Sequence, residues 1–382
     1  MRFAVDAHAI GCHLTGNEVY VRNLLDSFAV LDGSSEFIAY VAADEAKEWV
    51  PEHFLQRCVA RNPFLRLGYD LTRKLYQDRP DLVHVQYTAP LVCPVPVVVS
   101  VHDVSFFEHP EFFTAFRAAQ LRWTVRRTIR RAARILTGSE FSRQAIARTY
   151  GVDAEHIIVI PNAAASMFRP LARETAAAAV RSRFSIPGPF LLTVGDLQPR
   201  KNQLGLIRAF AELIRAQPQL PHRLVLAGKE TWFAPRICKA AATSGVAERI
   251  HFTGFVSDQD LLQLYNACDV FVFPSFYEGF GLPVLEAMAC GRAVACSNAA
   301  ALVEVVDAAA LLFDPHSTEQ MVRALLDLLL DAELRARMER IGLQRAARFS
   351  WRLTAQETLE VYYGVADARA RAARARYSFA RR

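Results

Sequence analysis

Short apolar runs rich in β-branched residues alternate with longer segments of helical period along nearly the whole chain. In the first half, the longer segments predict helices over Glu18–Leu31, Pro110–Ala132 and Glu140–Tyr150. The apolar runs of the same half predict strands over Arg2–Asp6, Phe37–Val41, Leu82–Gln86, Val95–Val101, Arg134–Thr137 and Ile157–Ile160.

The second half repeats this pattern. Its predicted strands are Phe190–Val194, Arg223–Ala227, Ile250–Thr253, Val270–Phe273, Ala293–Cys296 and Ala310–Phe313. Its predicted helices are Asn202–Gln217, Asp258–Ala267, Pro283–Cys290 and Thr318–Leu330. Alternating strands and helices are typical of parallel sheets with both faces covered, so we expect two doubly wound, Rossmann-like α/β domains.

The domain boundary is expected within Ala163–Pro189, an Ala- and Arg-rich segment that contains prolines but no strand signal. Two domains joined in this way would face each other across an interdomain cleft at the carboxyl ends of their strands. The predicted organisation is a first domain over 1–170, a linker over 171–188, a second domain over 189–355, and a C-terminal helix and basic tail over 356–382.

Composition narrows the class of protein. The 382 residues are 52% hydrophobic and 22% charged with a net charge of +6, which excludes a disordered chain and permits anionic ligands. Asp6 interrupts the apolar run that a secretory signal needs, and no apolar stretch is long enough to span a membrane. The seven cysteines are scattered, so we expect reduced thiols, no metal site and a cytoplasmic location.

The segment from Ser275 to Gly291 carries the most specific chemistry. A loop with Gly279 and Gly281 joins a predicted strand to a predicted helix, and Glu278 and Glu286 stand eight positions apart. Glycines let the backbone approach a ligand, and the N–H groups of Phe280–Leu282 would face an anion at the helix N-terminus. A helix-dipole role explains Glu286 alone, but it does not explain two acids and two glycines at one junction.

A second loop carries adjacent cations, Arg200 and Lys201, between a predicted strand and a predicted helix. Positive charge at a helix start opposes the helix dipole, so a bound anion explains the pair better than a solvated surface does. Such a pair can contact two phosphates, the arginine in bidentate fashion and the lysine as a point charge.

Together these segments resemble the retaining, GT-B-fold glycosyltransferases of family 4. The Glu-x7-Glu segment EGFGLPVLEAMACG matches the family's signature, and GDLQPRKN at 195–202 is similar to its motif for the nucleotide-sugar phosphates. RILTGSEF at 134–141, VIPN at 159–162, His102-Asp103 and TGNEVY at 15–20 resemble its first domain. The resemblance covers nearly the whole chain and implies a GT-B fold and a glycosyltransferase that needs no metal or other cofactor.

The resemblance also implies residue roles. Arg200 and Lys201 would hold the diphosphate of a nucleotide sugar and stabilise the leaving charge. Glu278 would orient the donor sugar and Glu286 would bind the ribose. His102 would contact the sugar from the first domain. The remaining positions expected to bind the nucleotide sugar are Gly16 near the phosphates, Val256 near the base, and the loop residues Gly279, Phe280, Gly281 and Leu282.

The sequence departs from the family pattern at two places. Gln198 stands where the family has glutamate, and Ala301, Val303 and Asp307 replace the usual serine, proline and glycine of a later segment. The first departure bears on the details of the loop that carries Arg200 and Lys201, and we assign no site residue to the second segment.

Two arginine-rich stretches suggest a partner. Arg122, Arg126, Arg127, Arg130, Arg131 and Arg134 recur at helical spacing, and six arginines without an acid lie within 369–382. Solvated surfaces are the ordinary interpretation of such stretches. Peripheral attachment to an anionic inner membrane face is an open hypothesis that suits a lipid-linked acceptor. No aromatic interleaving accompanies the arginines, which disfavours a nucleic-acid partner.

The sequence thus predicts a retaining hexosyltransferase that uses a nucleotide diphosphate sugar and a glycan or lipid-linked acceptor. GDP-mannose is the favoured donor, because HDVSFFEHPEFF and RILTGSEFSRQAIARTYGV are similar to segments of bacterial family 4 mannosyltransferases. A UDP-sugar is the runner-up. A nucleotide-sugar epimerase and a non-catalytic nucleotide-sugar binder remain as alternatives. The absence of a Gly-x-Gly-x-x-Gly pattern argues against a dinucleotide dehydrogenase.

Overall fold

The computed structural model describes residues 1–12 and 15–379, and these form two compact units. Unit 1 comprises Met1–Asn162 together with the chain from Ser350 onward, and unit 2 comprises Ala163–Phe349. Each unit is an α/β structure built on a parallel sheet, as the alternating pattern predicts.

In the described part of unit 1, all neighbouring strands of the sheet are parallel, in the order β3-β2-β1-β4-β5-β6-β7. These strands are β1 (Arg2–Asp6), β2 (Glu36–Val41), β3 (Leu55–Cys58), β4 (Leu82–Gln86), β5 (Val97–Ser100), β6 (Arg134–Thr137) and β7 (Ile157–Val159). The order reverses between β1 and β4, which makes that pair the topological switch point of the sheet.

Helices and short helical turns connect these strands. They are α1 (Thr15–Leu31), α2 (Pro63–Leu65), α3 (Leu71–Asp78), α4 (Ser105–Glu108), α5 (Ala115–Ile129) and α6 (Glu140–Tyr150). Local capping sets the bounds of α6: the Ser139 hydroxyl accepts a hydrogen bond from the backbone N–H of Ser142, and Gly151 ends the helix in the left-handed region.

The sheet of unit 2 has the order β10-β9-β8-β11-β12-β13 and is also parallel. Its strands are β8 (Phe190–Val194), β9 (Arg223–Ala227), β10 (Ile250–Gly254), β11 (Val270–Phe273), β12 (Ala293–Ser297) and β13 (Leu311–Phe313). The helices of the unit are α7 (Arg173–Phe184), α8 (Gln203–Ala216), α9 (Ala234–Ala242), α10 (Asp258–Ala267), α11 (Leu282–Ala289), α12 (Leu302–Val306), α13 (Thr318–Leu330) and α14 (Ala332–Ala346). The strand order reverses between β8 and β11.

Both faces of this sheet are buried, and β11 shows how. Phe271 and Phe273 point into the hydrophobic cluster that contains residues of α7, α10 and α11. Val270 and Val272 point into the opposite cluster, with α8, α9 and α13. The strand is therefore a continuous apolar run, as expected for a doubly wound sheet.

The last helix, α15 (Trp351–Phe379), packs on unit 1, where Tyr362 and Tyr363 meet Phe3 in edge-to-face ring contacts. The units differ from the predicted boundaries in three places. Residues 163–170 belong to unit 2 and not to the first domain, and residues 350–355 belong to unit 1 and not to the second domain. The predicted linker over 171–188 contains α7, which buries Ala176 and Val180 in the core of unit 2.

Within the stretches that the structure describes, no helix is both long enough and apolar enough to cross a membrane.

Candidate active site

Two loops of unit 2 meet at the switch point of its sheet, beyond the carboxyl ends of β8 and β11. The loop after β8 carries Arg200 and the loop after β11 carries Phe276, whose backbone N–H donates to the Arg200 carbonyl over 2.9 Å. Open parallel sheets bind ligands at this position. The sequence-predicted cations and the first acid of the Glu-x7-Glu segment are thereby brought to one edge.

The three charged side chains form one hydrogen-bonded cluster. Arg200 Nη1 donates to Glu278 Oε2 over 2.7 Å, and Lys201 Nζ donates to Glu278 Oε1 over 2.6 Å. Arg200 Nη1 also donates to the Tyr277 carbonyl over 2.9 Å. The Glu278 and Lys201 side chains are only 8% and 11% exposed. A buried carboxylate thus lies between two cations.

Electrostatics keep this cluster ionised. Burial raises the pKa of Glu278, but Arg200 and Lys201 together more than offset it, so the pKa lies below its ordinary value. Burial lowers the pKa of Lys201, and Glu278 opposes that change. With both cations charged, the cluster carries a net charge of about +1 at pH 7, which favours an anionic ligand.

Two glycines allow this arrangement. Gly195 has φ +150°, and a Cβ there would lie 3.1 Å from Cε of Lys201. Gly228, which follows β9, has φ +156°, and its Cβ would lie 2.1 Å from the Gly195 carbonyl oxygen. The lysine stem and the neighbouring loop therefore occupy the space that side chains at these positions would need.

The cations lie in a tight turn, Pro199–Lys201, directly before α8. Asn202 begins the helix with φ +53°, and its side chain accepts a hydrogen bond from the Gly205 N–H and donates one to the Pro315 carbonyl. This cap fixes the turn relative to the helix, as the strand-loop-helix pattern predicts.

The second acid of the Glu-x7-Glu segment lies one turn into α11. Gly281 precedes the helix with φ +110°, and a Cβ there would lie 2.6 Å from Cδ2 of Leu302. Glu286 is buried, and the Tyr265 hydroxyl donates to its Oε2 over 2.8 Å. Burial raises the pKa of Glu286 to about 7, although the Tyr265 hydrogen bond lowers it.

The other predicted site residues of unit 2 are glycines or have apolar side chains. Phe280 is buried and its ring lies 5.8 Å from that of Phe349, so its side chain belongs to the core. Gly279 separates it from Glu278, and Leu282 is the first residue of α11. Val256 follows β10 and packs, partly buried, on the same core cluster.

His102 and Gly16 lie in unit 1. His102 follows β5, and its Nε2 is 2.9 Å from Oε1 of Gln86. Burial lowers the pKa of His102 to about 4, so the ring is neutral at pH 7. Gly16 is exposed in the first turn of α1, where the sequence pattern predicts a loop, and a Cβ there would meet no atom within 4 Å. The protein's own packing therefore does not require glycine at this position.

Sequence reasoning missed three polar residues beside the predicted ones. Tyr265 holds Glu286, and Gln86 holds His102. Asp196 is a half-buried acid after β8, 3.8 Å from Lys229, and burial raises the pKa of its carboxyl. Tyr265 and Gln86 stand in apolar segments, where the pattern signals only core. The described part of the chain contains no group of three His, Cys, Asp or Glu side chains placed to hold a metal ion.

Comparison with known families gives the same division of the chain. Residues 14–164 match the family model "Glycosyltransferase Family 4", and residues 181–345 match "Glycosyl transferases group 1". The O-antigen chain mannosyltransferase B of Escherichia coli is 33% identical over 265 residues, which is 69% of either chain. The serotype-specific mannosyltransferase WbdA of Escherichia coli is 38% identical over 183 residues, a match that covers 47% of this chain but only 22% of WbdA.

Solved structures share the fold. Alr3699/HepE of Anabaena, in complex with UDP and glucose, is 22% identical with a TM-score of 0.75, covering 95% of this chain and 99% of that one. Sucrose-phosphate synthase of Thermosynechococcus elongatus is 19% identical with a TM-score of 0.78, covering 96% and 100%. With two family models and a relative matched over more than two thirds of its length, the chain belongs to family 4 of the GT-B glycosyltransferases, is an enzyme that transfers a glycosyl group, and resembles bacterial mannosyltransferases.

Proposed function

We propose that this enzyme transfers mannose from GDP-mannose to a hydroxyl of a glycan or lipid-linked acceptor, with retention of the anomeric configuration and without a metal ion. The observation that carries the proposal is the buried cluster of Arg200, Lys201 and Glu278 at the switch point of unit 2. It combines two fixed cations with one carboxylate beside a helix N-terminus, and such a site can hold a diphosphate next to a sugar.

The cations account for the proposed independence of metal. A nucleotide sugar has two linked phosphates, and Arg200 and Lys201 can each donate to one of them. Negative charge grows on the outer phosphate as its bond to the sugar breaks. Cations that are already positioned stabilise this charge without solvent reorganisation. Glu286 would accept hydrogen bonds from the ribose hydroxyls, Val256 would lie near the base, and Gly16 would face the phosphates.

The reaction balances without a protein nucleophile. The bond between C1 of the sugar and the phosphate oxygen breaks, and the acceptor oxygen attacks C1 from the same face. The acceptor proton passes to the phosphate oxygen that leaves. Glu278 would orient the sugar and stabilise the positive charge that develops at C1, while His102 would bind a sugar hydroxyl.

Mannose is favoured by the two mannosyltransferase relatives, and a UDP-sugar is the alternative because a structural neighbour was solved with UDP and glucose. Thermal unfolding with GDP, UDP and ADP separates these donors. A nucleotide at a hundredfold excess over its Kd adds about 2.7 kcal/mol to the free energy of unfolding. We expect a selective response to GDP. A selective response to UDP would replace the donor, and no response to any nucleotide would overturn the proposal.

Transfer itself is measured with GDP-mannose and an alkyl mannoside as acceptor. We expect an α-linked product by NMR and the same rate in the presence of EDTA. A β-linked product would contradict retention, and loss of activity in EDTA that Mg²⁺ restores would contradict metal independence. An altered sugar released without any acceptor would instead indicate an epimerase.

A lipid-linked acceptor would require contact with a membrane surface. Helix α5 carries four arginines, among them the exposed Arg126, and no acidic residue, and it exposes Phe116 and Trp123. Not all of the arginine stretch is available to lipids: Arg122 donates to the carbonyls of Phe106 and Phe107, and Arg127 donates to those of Pro90 and Leu91. The expectation that no aromatic residue accompanies the arginines is therefore wrong for Trp123, which directly follows Arg122. Exposed aromatic residues among arginines suit the interface of an anionic bilayer. Arg381 and Arg382 of the predicted basic tail lie outside the described residues.

Sedimentation with vesicles tests this contact. We expect salt-sensitive binding to vesicles containing phosphatidylglycerol and less binding to pure phosphatidylcholine. Trp123→Ala should weaken the binding, whereas Trp232→Ala, an equally exposed tryptophan of unit 2, should leave it unchanged. Equal recovery with both lipids would rule out an electrostatic membrane contact.

A further inference from the structure

Gln86 links the two predicted site segments of unit 1. It is the last residue of β4 and is only 6% exposed. Its side-chain Nε2 donates to the Asn17 carbonyl over 3.2 Å, and its Oε1 lies 2.9 Å from Nε2 of His102. One buried amide therefore contacts both the first turn of α1, beside Gly16, and the histidine after β5.

These contacts fix the direction of both hydrogen bonds. The Asn17 carbonyl can only accept, so the amide nitrogen of Gln86 must face it. The amide oxygen of Gln86 then faces His102 and can only accept. A neutral imidazole carries its proton on one of two nitrogens, and here that nitrogen must be Nε2.

This assignment leaves Nδ1 of His102 with its lone pair. None of the described residues forms a hydrogen bond with Nδ1, and His102 is only partly buried. The rings of Tyr20 and Tyr87 lie 4.8 and 5.7 Å from the His102 ring and fix its plane.

The titratable residues around His102 leave its ring neutral. Asp103 favours a protonated His102, but burial outweighs it. His84 on β4 has its pKa lowered by burial to about 3, and Tyr20 on α1 has its pKa raised by burial to about 12. Both groups are therefore uncharged at pH 7, and His102 stays neutral beside them.

We propose that Gln86 is a positioning residue that holds His102 in its Nε2-protonated tautomer, so that Nδ1 accepts a hydrogen bond from a hydroxyl of the donor sugar. The contact with the sugar rests on the proposed function, whereas the tautomer does not. A histidine held in this way selects a hydroxyl group and rejects a charged acceptor such as a carboxylate at the same point of the sugar.

The tautomer is measured directly in the ligand-free enzyme by ¹⁵N NMR of histidine-labelled protein, with the His102 signals assigned from their absence in His102→Phe. We expect the signature of a protonated Nε2 and an unprotonated Nδ1. In Gln86→Met, which keeps the size but removes the acceptor, the signals should move toward a mixture of tautomers. In Gln86→Glu the Nε2 proton should remain, because a carboxylate also accepts.

Kinetics then test the sugar contact. In Gln86→Met we expect kcat/KM for the nucleotide sugar to fall about 10- to 100-fold. The Kd of the free nucleoside diphosphate should change much less, because in the proposed function Arg200 and Lys201 of unit 2 hold the diphosphate. Gln86→Glu should recover activity at about pH 8.5 and lose it toward about pH 6, because the new carboxylate raises the pKa of His102 and protonates Nδ1.

Tyr40→Phe provides the matched control. Tyr40 is buried on β2 of the same sheet, and its hydroxyl donates to Asp78 Oδ2 over 3.0 Å, away from Gln86 and His102. We expect it to lower stability without changing the His102 signals or the pH profile.

An Nδ1-protonated His102 in the wild-type enzyme, or the same tautomer in Gln86→Met, would overturn the proposal even if the enzyme transfers mannose as expected. A correct tautomer with unchanged kcat/KM in Gln86→Met would overturn the sugar contact. Failure of the proposed function would be seen in a different measurement, in which no nucleotide raises the thermal stability of the wild-type enzyme.

Discussion

The carboxyl ends of β8 and β11 in unit 2 and of β4 and β5 in unit 1 carry different kinds of polar group. In unit 2 the switch point holds an ionised cluster, in which Glu278 is hydrogen-bonded to two cations. In unit 1 the ends of β4 and β5 hold an uncharged network, in which His102 is bonded to Gln86, and His84 to Ser100. Burial keeps both histidines neutral, with pKa values of about 4 and about 3.

This difference supports the two kinds of ligand contact proposed above. An ionised cluster with an excess of positive charge can bind phosphates, whereas a neutral network with fixed donors and acceptors can bind hydroxyl groups. The two regions should also respond differently to mutation. Removal of one charged side chain in unit 2 leaves a buried ion without its counter-ion. Removal of one hydrogen bond in unit 1 mainly lets the His102 ring reorient.

The largest effect is expected from Glu278→Gln. This change keeps the size of the side chain but removes the charge that, in the proposed mechanism, would stabilise the developing cation at C1, so kcat should fall about 10²- to 10³-fold. Affinity for the nucleoside diphosphate should change much less, because both cations remain. The variant should also have a lower Tm, since Lys201 is left buried without its carboxylate. Steady-state kinetics and nucleotide titration measure the two effects.

Glu248→Gln is the control, because Glu248 lies in the same unit with a side chain that is 73% exposed. It should leave kcat and Tm near the wild-type values. A wild-type kcat in Glu278→Gln would remove this residue from the reaction and leave the charged edge a structural feature.

Arg200→Ala should weaken both binding and turnover. Charge-assisted hydrogen bonds to phosphate contribute about 1.5–3 kcal/mol, which corresponds to a roughly 10- to 100-fold rise in the Kd of the nucleoside diphosphate. The kcat should fall as well, because in the proposed mechanism the same cation would stabilise the leaving phosphate. Calorimetric titration measures the Kd.

Arg208→Ala on α8 removes an exposed arginine of the same unit and should leave binding unchanged. Similar Kd values for the two variants would mean that the net charge of the unit, and not a located contact, attracts the nucleotide.

A smaller effect concerns pH and Glu286. Burial raises its pKa to about 7 from an ordinary value of 4.5, so the folded enzyme holds this proton more tightly than the unfolded chain does. The contribution of this proton to the free energy of unfolding is fully present below about pH 4.5 and is lost as the pH rises through about 7. Glu286→Gln should remove this part of the pH dependence. Unfolding measured at several pH values, as a difference between the two proteins, tests it.

The same ionisation should affect binding in the opposite direction. A carboxylate accepts hydrogen bonds from ribose hydroxyls better than a carboxylic acid does, so nucleoside diphosphate affinity should rise between about pH 6 and pH 8. Glu286→Gln should bind more weakly and lose this rise. Parallel pH profiles for the two proteins would place the titrating group elsewhere.

The sequence pattern predicted the strands of both sheets well, since β1, β4, β6, β8, β9 and β11 have the predicted bounds. It missed β3, whose residues Leu55–Cys58 are half exposed and do not form an apolar run. It also missed α7, because an Ala-rich helix shows little periodicity. The helix α15 was predicted, but its start and its packing on unit 1 depend on tertiary contacts such as that between Tyr362 and Phe3.

The charged edge was easier to predict than the neutral one. Arg200, Lys201 and Glu278 stand in loops between a strand and a helix, where charge has few structural explanations. Gln86 is the last residue of a buried strand, and only the paired strands β4 and β5 bring it to His102. Sequence spacing contains no information about that contact.

The smallest effect is expected at Asp307, the position where the family pattern has glycine. Asp307 ends α12 with φ +52° and ψ −124°, a backbone conformation that favours glycine. Strain of this kind costs about 1–3 kcal/mol, and glycine loses part of the gain through its greater freedom in the unfolded chain. Asp307→Gly should therefore raise the free energy of unfolding by about 1 kcal/mol.

Ala308→Gly, at a neighbouring position with an ordinary φ, should instead lower the free energy of unfolding. Because Asp307 lies at the end of α12 away from Ala301, whose N–H donates to the Glu278 carbonyl, neither change should alter kcat. Urea unfolding and steady-state kinetics measure both quantities, and a fall in kcat for Asp307→Gly would mean that the charged edge depends on the strained backbone behind it.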